Sequence, residues 1–334
     1  YTAKGQPTYM NILRKFEMST IHASITGTHP AFIVNGVEKP EIFVGTYQGV
    51  IKNGELLSLP NEAPATNLDY ATFLNAARSN GNGHHLITNA EWAALALRSY
   101  KDATQPLGNN YYGRSAESNT LIGRRVNGLT PGTVVSPGVV LTGSGPVNWR
   151  QNGKINGIAD MSGNIWEWNS GLRIVNGEIQ VIPDNNASSS IIDLEANSTE
   201  WKAISGANGS YLTPDGNGTT PNSVRIASSG TADYTLKIGI LQDFGTMANP
   251  PAPALRISDA ALSKLRALCL FLVGTSTAAF NGDGVFINPA IEGLCSRGGA
   301  WTDSSKAGIF SFSLSNLRTR AELDLGARPA YIKP

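Results

Sequence analysis

Cys295-Ser296-Arg297-Gly298-Gly299-Ala300-Trp301 opens the segment that decides the fold, and Ala307-Gly308-Ile309-Phe310 and Gly326-Ala327-Arg328-Pro329-Ala330-Tyr331 follow it. Glycines, aromatic residues and arginines of structural character alternate there with small or polar residues. A catalytic site needs particular groups at particular positions, and these small residues have no evident catalytic use. We therefore interpret the C-terminal segment as a rigid frame that carries changeable positions, which indicates binding.

The composition is typical of a loop-rich globular protein. The chain has 334 residues, of which 41% are hydrophobic, 15% are charged and 36 are glycine, enough for a sizeable core. The formal net charge is +1 and the basic residues are scattered, so we expect no nucleic-acid partner. The longest apolar run, residues 260–273, contains Ser263, Lys264 and Arg266, which makes it amphipathic rather than membrane-spanning.

The residues that carry metal or acid–base chemistry form no convincing site. Cys269 and Cys295 lie outside any Cys-x-x-Cys motif, so no structural zinc is expected. They could form one disulfide bridge, but two buried free thiols are favoured. Asp160 and Glu167 are the one pair of carboxylates in a Trp-rich motif. Such carboxylates more often bond backbone groups or pair with arginine than run acid–base chemistry.

Local signals predict hairpins, one further strand and three helices. Asn-Gly between apolar runs predicts hairpins at Asn35-Gly36, Asn53-Gly54 and Asn176-Gly177. The motif Asp160–Trp168 predicts a strand, with Trp166 and Trp168 on one face. Helices are predicted over Asn67–Arg78, from the capping box Thr88-Asn89-Ala90-Glu91 through Leu97, and over Ser258–Leu272.

Residues 185–254 are rich in Asn, Ser, Gly, Thr and Pro. We interpret them as an insertion on the same domain because apolar side chains could anchor them: Trp201, Ile204, Tyr211, Tyr234, Leu236 and Ile238. Asp215-Gly216-Asn217-Gly218 superficially resembles a calcium loop but lacks the acidic closing residue, so it is interpreted as a turn. Asn281-Gly282-Asp283-Gly284 is predicted to be a turn as well.

Four motifs carry a resemblance to a known family. Leu86–Ala96, Gly163–Trp168, Arg297–Trp301 and Gly326–Pro329 occur in the order seen in the formylglycine-generating enzyme (sulfatase-modifying factor) family. Within it, the chain looks most like the variable proteins of diversity-generating retroelements. The resemblance implies an α+β, C-type lectin-like fold, loop-rich, with short antiparallel strands and two to three helices. It also implies a single domain over residues 1–334, with 185–254 as the insertion and 295–332 as the variable region.

The resemblance sorts the residues of the variable region. In such systems adenines in a template copy are mutated during reverse transcription, and Asn codons become codons for many residues, though not Lys, Glu, Gln, Met or Trp. Lys306 and Glu322 are therefore outside the rule. The variable positions that it permits, and that we expect to bind the ligand, are Ala300, Thr302, Asp303, Ser305, Ser311, Ser313, Ser315, Thr319, Arg320, Ala321, Leu323 and Asp324.

The remaining residues of the motifs are expected to hold these positions in place. Phe312 and Leu314 alternate with the serines at 311, 313 and 315, which predicts one set for the core and the other for solvent. Arg318 and Arg328 are expected to be buried and paired, for example with Asp160 or Glu167. The frame residues are Gly298, Gly299, Trp301, Arg318, Arg328, Trp166, Glu167 and Trp168.

The function implied by the resemblance is non-catalytic binding of a protein or cell-surface ligand, from a surface-displayed or virion-associated position. Oxidases of the family bind copper through closely spaced cysteines in the C-terminal segment, and positions 302–325 contain no cysteine. No cofactor is expected, although a structural Ca²⁺ stays open. The alternatives are a divergent oxidase of the same fold and a calcium-dependent carbohydrate binder, and the second lacks its acidic signature.

Overall fold

Strands dominate the protein, and most of them join one large mixed sheet. A computed structural model describes residues 1–228, 233–239, 241–247, 257–274, 280 and 282–334. This part of the chain combines many short strands with three α-helices, so the predicted α+β class is confirmed. The main hydrophobic cluster draws on residues from Phe16 to Ile332, so both ends of the sequence contribute to it.

The strands form two larger sheets and two small hairpins. In chain order they are β1 (Met10–Arg14), β2 (Ile33–Val34), β3 (Val37–Glu38), β4 (Glu41–Gly45), β5 (Gly49–Lys52), β6 (Glu55–Ser58), β7 (His84–Leu86), β8 (Trp166–Val175), β9 (Glu178–Val181), β10 (Lys202–Ile204), β11 (Tyr211–Leu212), β12 (Arg225–Ala227), β13 (Thr235–Lys237), β14 (Leu241–Asp243), β15 (Gly284–Ile287), β16 (Glu292–Gly298), β17 (Gly308–Asn316), β18 (Leu325–Ala327) and β19 (Pro329–Tyr331).

The large sheet brings the C-terminal strands beside the Trp-rich strand. Its main path is β11-β10-β9-β8-β16-β17-β15-β14, while β12 joins at β9, β13 pairs with β12, and β18 lies beside β8. The pairs β8–β16 and β16–β17 are antiparallel, whereas β15–β17 and β8–β18 are parallel. The smaller sheet has the order β1-β4-β19-β7. Strands β16 and β17 of the predicted variable region therefore have a neighbouring strand on each side within the large sheet.

All three predicted Asn-Gly hairpins are confirmed. They connect β2 to β3, β5 to β6 and β8 to β9. Both turn residues have positive φ in each hairpin, for example +47° at Asn176 and +85° at Gly177. Asn and Gly tolerate this left-handed backbone better than other residues, which is why the pair marks tight hairpin turns. The predicted strand over Asp160–Trp168 was placed too early, since β8 begins at Trp166.

The helices are α1 (Tyr70–Arg78), α2 (Asn89–Asp102) and α3 (Asp259–Ala267). The capping box is confirmed, because the Thr88 hydroxyl accepts from the Glu91 N–H and the Glu91 carboxylate accepts from the Thr88 N–H. The predicted start of α1 at Asn67 was wrong. Asn67 has a φ of +60°, and Asp69 caps the helix by accepting from the Thr72 N–H.

Helix α3 ends before the predicted Leu272 because the chain turns sharply after Ala267. Cys269 has a φ of +51°, and the Leu270 N–H reaches back to the Leu265 carbonyl at 2.7 Å. A second bond runs from the Cys269 N–H to the Arg266 carbonyl at 3.0 Å. This pattern is a Schellman motif, in which one left-handed residue ends a helix. Glycine usually supplies that residue, so periodicity alone gave no stop signal here.

The strands of residues 185–254 extend the large sheet. β10 and β12 both pair with β9, and Trp201, Ile204, Leu236 and Ile238 are buried as predicted. Tyr211 and Tyr234 remain partly exposed. Residues 229–232, 240 and 248–254 of this region lie outside the described residues, as does Asn281 of the predicted turn.

Strand β17 is covered on both faces, which corrects the predicted alternation. Phe312 and Leu314 are fully buried, but Ser311 is fully buried too and Ser313 is only 4% exposed. The Ser311 hydroxyl accepts from the Gly284 N–H at 3.2 Å. A strand flanked by neighbours within a layered sheet is buried along most of its length, so period-two alternation does not separate core from solvent there.

Within the described residues, no helix has the length and apolar character needed to cross a membrane.

Candidate binding face

The Gly298-Gly299 pair ends β16 in a turn that only glycine fits easily. The two residues have φ values of +95° and +81°. A Cβ atom on Gly299 would lie 2.5 Å from the Cβ of Ala307, which is closer than side chains approach one another. The pair therefore brings the start of β17 against the end of β16, in agreement with its predicted role in the frame.

Trp301 anchors the chain directly after this turn. Its side chain is buried in a small cluster with Val139 and Ile165, and Tyr112 packs against the cluster. The Tyr112 N–H donates to the Trp301 carbonyl at 3.0 Å. The ring and the backbone of Trp301 thus fasten the variable region to the loop-rich middle of the sequence.

Asp303 closes the turn that Trp301 opens. Its carboxylate accepts from the Ala300 N–H at 2.8 Å. Burial raises the pKa of Asp303 to about 6, the nearby Asp324 carboxyl adds to the rise, and hydrogen bonds from Ala300 and the Trp166 indole oppose it. Two predicted variable positions therefore lie close together beside Trp166. Asp303 also supports the backbone, which a freely changeable residue would not do.

Arg328 forms the buried ion pair that the sequence predicted. Its guanidinium donates to the Glu167 carboxylate through two parallel bonds of 2.7 and 2.9 Å, and both side chains are fully buried. It also donates to the carbonyls of Gly45 and Ala159 at 2.8 and 2.9 Å. The Gln48 amide donates to the same carboxylate at 3.0 Å. A buried charge pair is stable only when its remaining bonds are satisfied in this way.

Arg318 is paired as expected, but its partner is Glu292 rather than the suggested Asp160 or Glu167, and it is half-buried rather than buried. Its bonds to the Glu292 carboxylate are 2.8 and 2.9 Å long, and Arg173 reaches the same carboxylate at 2.7 Å. Arg318 and Glu292 are partly exposed, unlike the pair at Arg328, whereas Arg173 is buried. Glu292 opens β16 at the end of the sheet away from the Gly298 turn, and no spacing in the sequence connects it with Arg318.

Arg297 is a buried frame residue that was missing from the predicted set. Its guanidinium donates to the Asn89 side-chain oxygen at 2.7 and 2.9 Å, to the Leu268 carbonyl at 2.9 Å and to the Phe310 carbonyl at 3.1 Å. It also lies 5.0 Å from the centre of the Phe312 ring. All the acceptors that it reaches within the described chain are neutral oxygens. The signal available in the sequence was its place directly before the two glycines.

A small pocket opens between the end of β17 and the loop that follows it. Its volume is about 190 Å³, and its lining is Trp166, Phe286, Ser313, Ser315, Asn316, Arg320, Asp324 and Leu325. The rings of Trp166 and Phe286 meet edge to face at 5.2 Å and supply the apolar part. The hydroxyls of Ser313 and Ser315 lie 2.8 Å apart on one side. Trp168 lies in the same apolar cluster as Trp166 but is fully buried.

The predicted variable positions fall into three groups. The exposed ones are Thr302, Ser305, Thr319, Arg320, Ala321 and Leu323. The half-buried ones are Asp303, Ser315 and Asp324, and the buried ones are Ala300, Ser311 and Ser313. Ligand binding at all twelve positions would require them to be accessible, and the last group is not. Ala300 packs in the apolar cluster under the turn, Ser311 bonds backbone groups, and Ser313 still faces the pocket.

Lys306 and Glu322, the two residues excluded from the variable set, differ in their contacts. Lys306 forms an ion pair with Asp243, which ties the turn before β17 to β14. Glu322 is 3.6 Å from Arg320 and its carbonyl accepts from the Asn67 N–H at 2.8 Å. Lys306 therefore contributes to the structure, whereas the side chain of Glu322 is largely exposed.

The two cysteines and three of the four histidines, His29, His84 and His85, are buried. Cys269 and Cys295 are buried free thiols, as favoured from the sequence, and burial raises their pKa values to about 12 and about 11. Burial lowers the pKa of His29 to about 4, and His85 bonds the Glu91 carboxylate at 2.9 Å inside the core. Within the described ranges, no group of three or more His, Cys, Asp or Glu side chains is placed so that it could hold a metal ion.

Comparison of the chain with known proteins gives no match to a protein-family model and no match to a curated protein.

Proposed function

We propose that this protein is a non-catalytic ligand-binding protein with a C-type lectin-like fold, whose segment 295–332 is diversified by a retroelement. The observation that carries the proposal is the division of residues 295–332 into accessible variable positions and firmly bonded arginines. Six of the twelve variable positions are exposed and three are half-buried, while the arginines beside them are held by several bonds each. A binding surface whose residues change needs anchoring residues that stay the same and hold the backbone in place.

The arrangement of the pocket supports recognition of a macromolecular ligand. Trp166 and Phe286 give it an aromatic floor, which is the kind of surface that contributes most to binding energy at interfaces. Ser313, Ser315 and Asp324 line it with short polar side chains. Exchange of these residues would alter the shape and charge of the pocket over a constant floor. The proposed ligand is a protein or another cell-surface molecule.

The state of the thiols favours binding over oxidase chemistry. Copper is held by thiolates, and a thiolate forms less readily where burial raises the thiol pKa. Both cysteines of this chain have raised pKa values, and Cys295 points at the Asn89 side chain in the core. The family's oxidase mechanism requires a reactive pair in the C-terminal segment, which these two residues do not supply.

A pair of libraries tests the proposal. One library randomises the exposed or pocket-lining positions Thr302, Ser305, Ser313, Ser315, Thr319 and Arg320 with Asn-derived codons. The control library randomises Arg297, Gly299, Trp301, Arg318, Gly326 and Arg328 with the same codons. We expect most members of the first library to fold, with thermal midpoints within about 5 °C of the parent, and to yield binders against different target proteins.

The proposal fails if both libraries lose folding equally, or if the first folds but yields no target-dependent binders after selection. The retroelement part has its own test in the neighbouring DNA. It predicts a near-repeat of the coding sequence for 295–332 that differs at adenines, beside a reverse transcriptase gene. A locus without such a repeat would leave a binding protein but remove its diversification.

A further inference from the structure

One cavity with a largely apolar lining lies away from the variable region. Its volume is about 540 Å³, and it is bounded by the segment near Met18, the start of α2, the β8–β9 hairpin and the outer side of α3. None of its lining residues lies beyond Leu268. The volume falls in the range of small-molecule sites, about 300–1,000 Å³. It is far too large for a single ion, since one water occupies about 30 Å³ of liquid.

Buried apolar side chains form part of the floor and walls of the cavity. Val181 and Ile182 come from the end of β9 and the residue after it, Leu268 from the end of α3, and Met18 from the N-terminal segment. Each of these side chains is less than 10% exposed and belongs to the hydrophobic core. A ligand in this cavity would therefore place an apolar body against them.

Asp184 and Lys264 face the same cavity and attract each other without forming an ion pair, whereas Asp259, the third charged residue of the lining, is exposed to solvent. The Lys264 ammonium on α3 has no hydrogen bond or ion pair to a described residue, and it lies 3.5 Å from the centre of the Tyr211 ring. Asp184, just after β9, likewise has no side-chain bond within the described chain. Both are half-buried. Burial raises the pKa of Asp184 and lowers that of Lys264, and the attraction between the two charges opposes both shifts.

The two charges restrict the kind of ligand. An apolar molecule would displace water from both half-buried charges and leave them only their mutual attraction and the Tyr211 ring, which is costly. A simple anion would satisfy Lys264 alone, and a simple cation Asp184 alone. A molecule with one carboxylate, one ammonium and an apolar body would satisfy both charges and fill the space between Met18 and Ile182.

We propose that this cavity binds a small zwitterion with an apolar body, of the class of apolar amino acids and dipeptides. The ligand carboxylate pairs with Lys264, its ammonium pairs with Asp184, and its side chains cover Ile182 and Leu268. The site lies wholly outside residues 295–332. It is independent of the function proposed above.

Calorimetric titration of the full chain with dileucine tests the assignment. N-acetyl-dileucine lacks the ammonium and dileucine amide lacks the carboxylate, and each should bind at least about tenfold more weakly than dileucine. In K264M, dileucine and its amide should bind alike. In D184N, dileucine and its N-acetyl form should bind alike. Asn tolerates the left-handed backbone of Asp184, whose φ is +56°, so D184N keeps the fold.

The controls are K154M and D193N, which change an exposed lysine and an exposed aspartate outside the cavity lining. Both should bind dileucine like the parent, and thermal unfolding without ligand should show that all four variants are folded. The assignment is overturned if dileucine gives no binding heat and no thermal stabilisation at millimolar concentration. It is equally overturned if the blocked forms bind the parent as well as dileucine does, or if K264M and D184N retain the parent's preferences.

Discussion

The buried pair of Arg328 and Glu167 determines where the end of the chain lies. Arg328 stands between β18 and β19, and its bonds reach Glu167 on β8 and the Gly45 carbonyl on β4. One side chain therefore joins the large sheet to the smaller one. Because both partners are fully buried, removal of either one leaves a charge without a partner in the interior.

Replacement of Arg328 by methionine should lower the free energy of unfolding by about 3–5 kcal/mol, because Glu167 would keep a buried charge. The matched control is R320M, which alters a half-exposed arginine of the variable set and should change stability by less than about 0.5 kcal/mol. Urea denaturation followed by Trp fluorescence measures both. Similar losses in the two variants would contradict the division between frame and face.

Glycine at position 299 combines backbone strain with lack of space. We expect G299A to destabilise the protein by about 3 kcal/mol, of which about 1 kcal/mol is left-handed strain and the rest is the contact with Ala307. Gly216 separates the two effects, since its φ is +82° but no atom lies within 4 Å of a Cβ placed there. G216A should therefore cost only about 1 kcal/mol. If G299A and G216A lose equal stability in thermal or urea unfolding, the structure relieves the crowding at Ala307 at no cost in free energy.

Helices α2 and α3 are joined through the Arg297 side chain. The Asn89 side chain stands at the first residue of α2, and the Leu268 carbonyl stands at the end of α3, where helix carbonyls carry partial negative charge. The guanidinium bonds both. A single residue of β16 thus fixes one helix start and one helix end against the sheet.

Substitution of Arg297 by methionine should loosen both helix termini, because the Asn89 oxygen and the Leu268 carbonyl lose their buried donor. We expect a loss of about 3 kcal/mol and faster amide hydrogen exchange in the first turn of α2 and the last turn of α3. The control R98M removes an exposed arginine of α2 that pairs with Asp102. Exchange that rises evenly over all strands in R297M would show general unfolding and would contradict a local role.

Elements whose cause is local were predictable, and elements whose cause is distant were not. The Asn176-Gly177 turn and the Thr88–Glu91 capping box are set by neighbouring residues, and both were found where predicted. The partner of Arg318 is Glu292, which the fold brings close and no sequence pattern reveals. Ser311 alternates with apolar residues like a surface residue, yet the neighbouring β15 buries it. The pocket at Trp166 could not be predicted for the same reason.

The stability of the whole molecule depends on buried groups whose effects oppose one another as pH changes. Burial raises the pKa of Asp283 to about 7, with a smaller contribution from Glu117, while Phe310 and Ser311 donate to it and lower the value. Burial lowers the pKa of His29 to about 4. Between the folded and unfolded pKa values of Asp283, the folded protein therefore keeps a proton on this carboxyl that the unfolded chain releases. His29 behaves in the opposite way, because between its two pKa values it stays neutral in the folded protein and takes up a proton on unfolding.

The signs of these two contributions can be separated with variants. For Asp283 the folded pKa is the higher one, so the free energy of unfolding falls as pH rises from about 4 to about 7, with a slope of at most about 1.4 kcal/mol per pH unit. For His29 the folded pKa is the lower one, so the stability that neutral His29 contributes is lost as pH falls from about 6.5 to about 4.

D283N should therefore lose stability more steeply than the parent on acidification from pH 7 to pH 4.5, because the opposing contribution of Asp283 is gone. The free energy of unfolding of H29N should fall less steeply than that of the parent over the same pH range, since the amide that replaces the imidazole ring takes up no proton. Urea unfolding at half-unit pH intervals measures both slopes, and parallel curves for the parent and D283N would mean that Asp283 is ionised in the folded protein throughout this range.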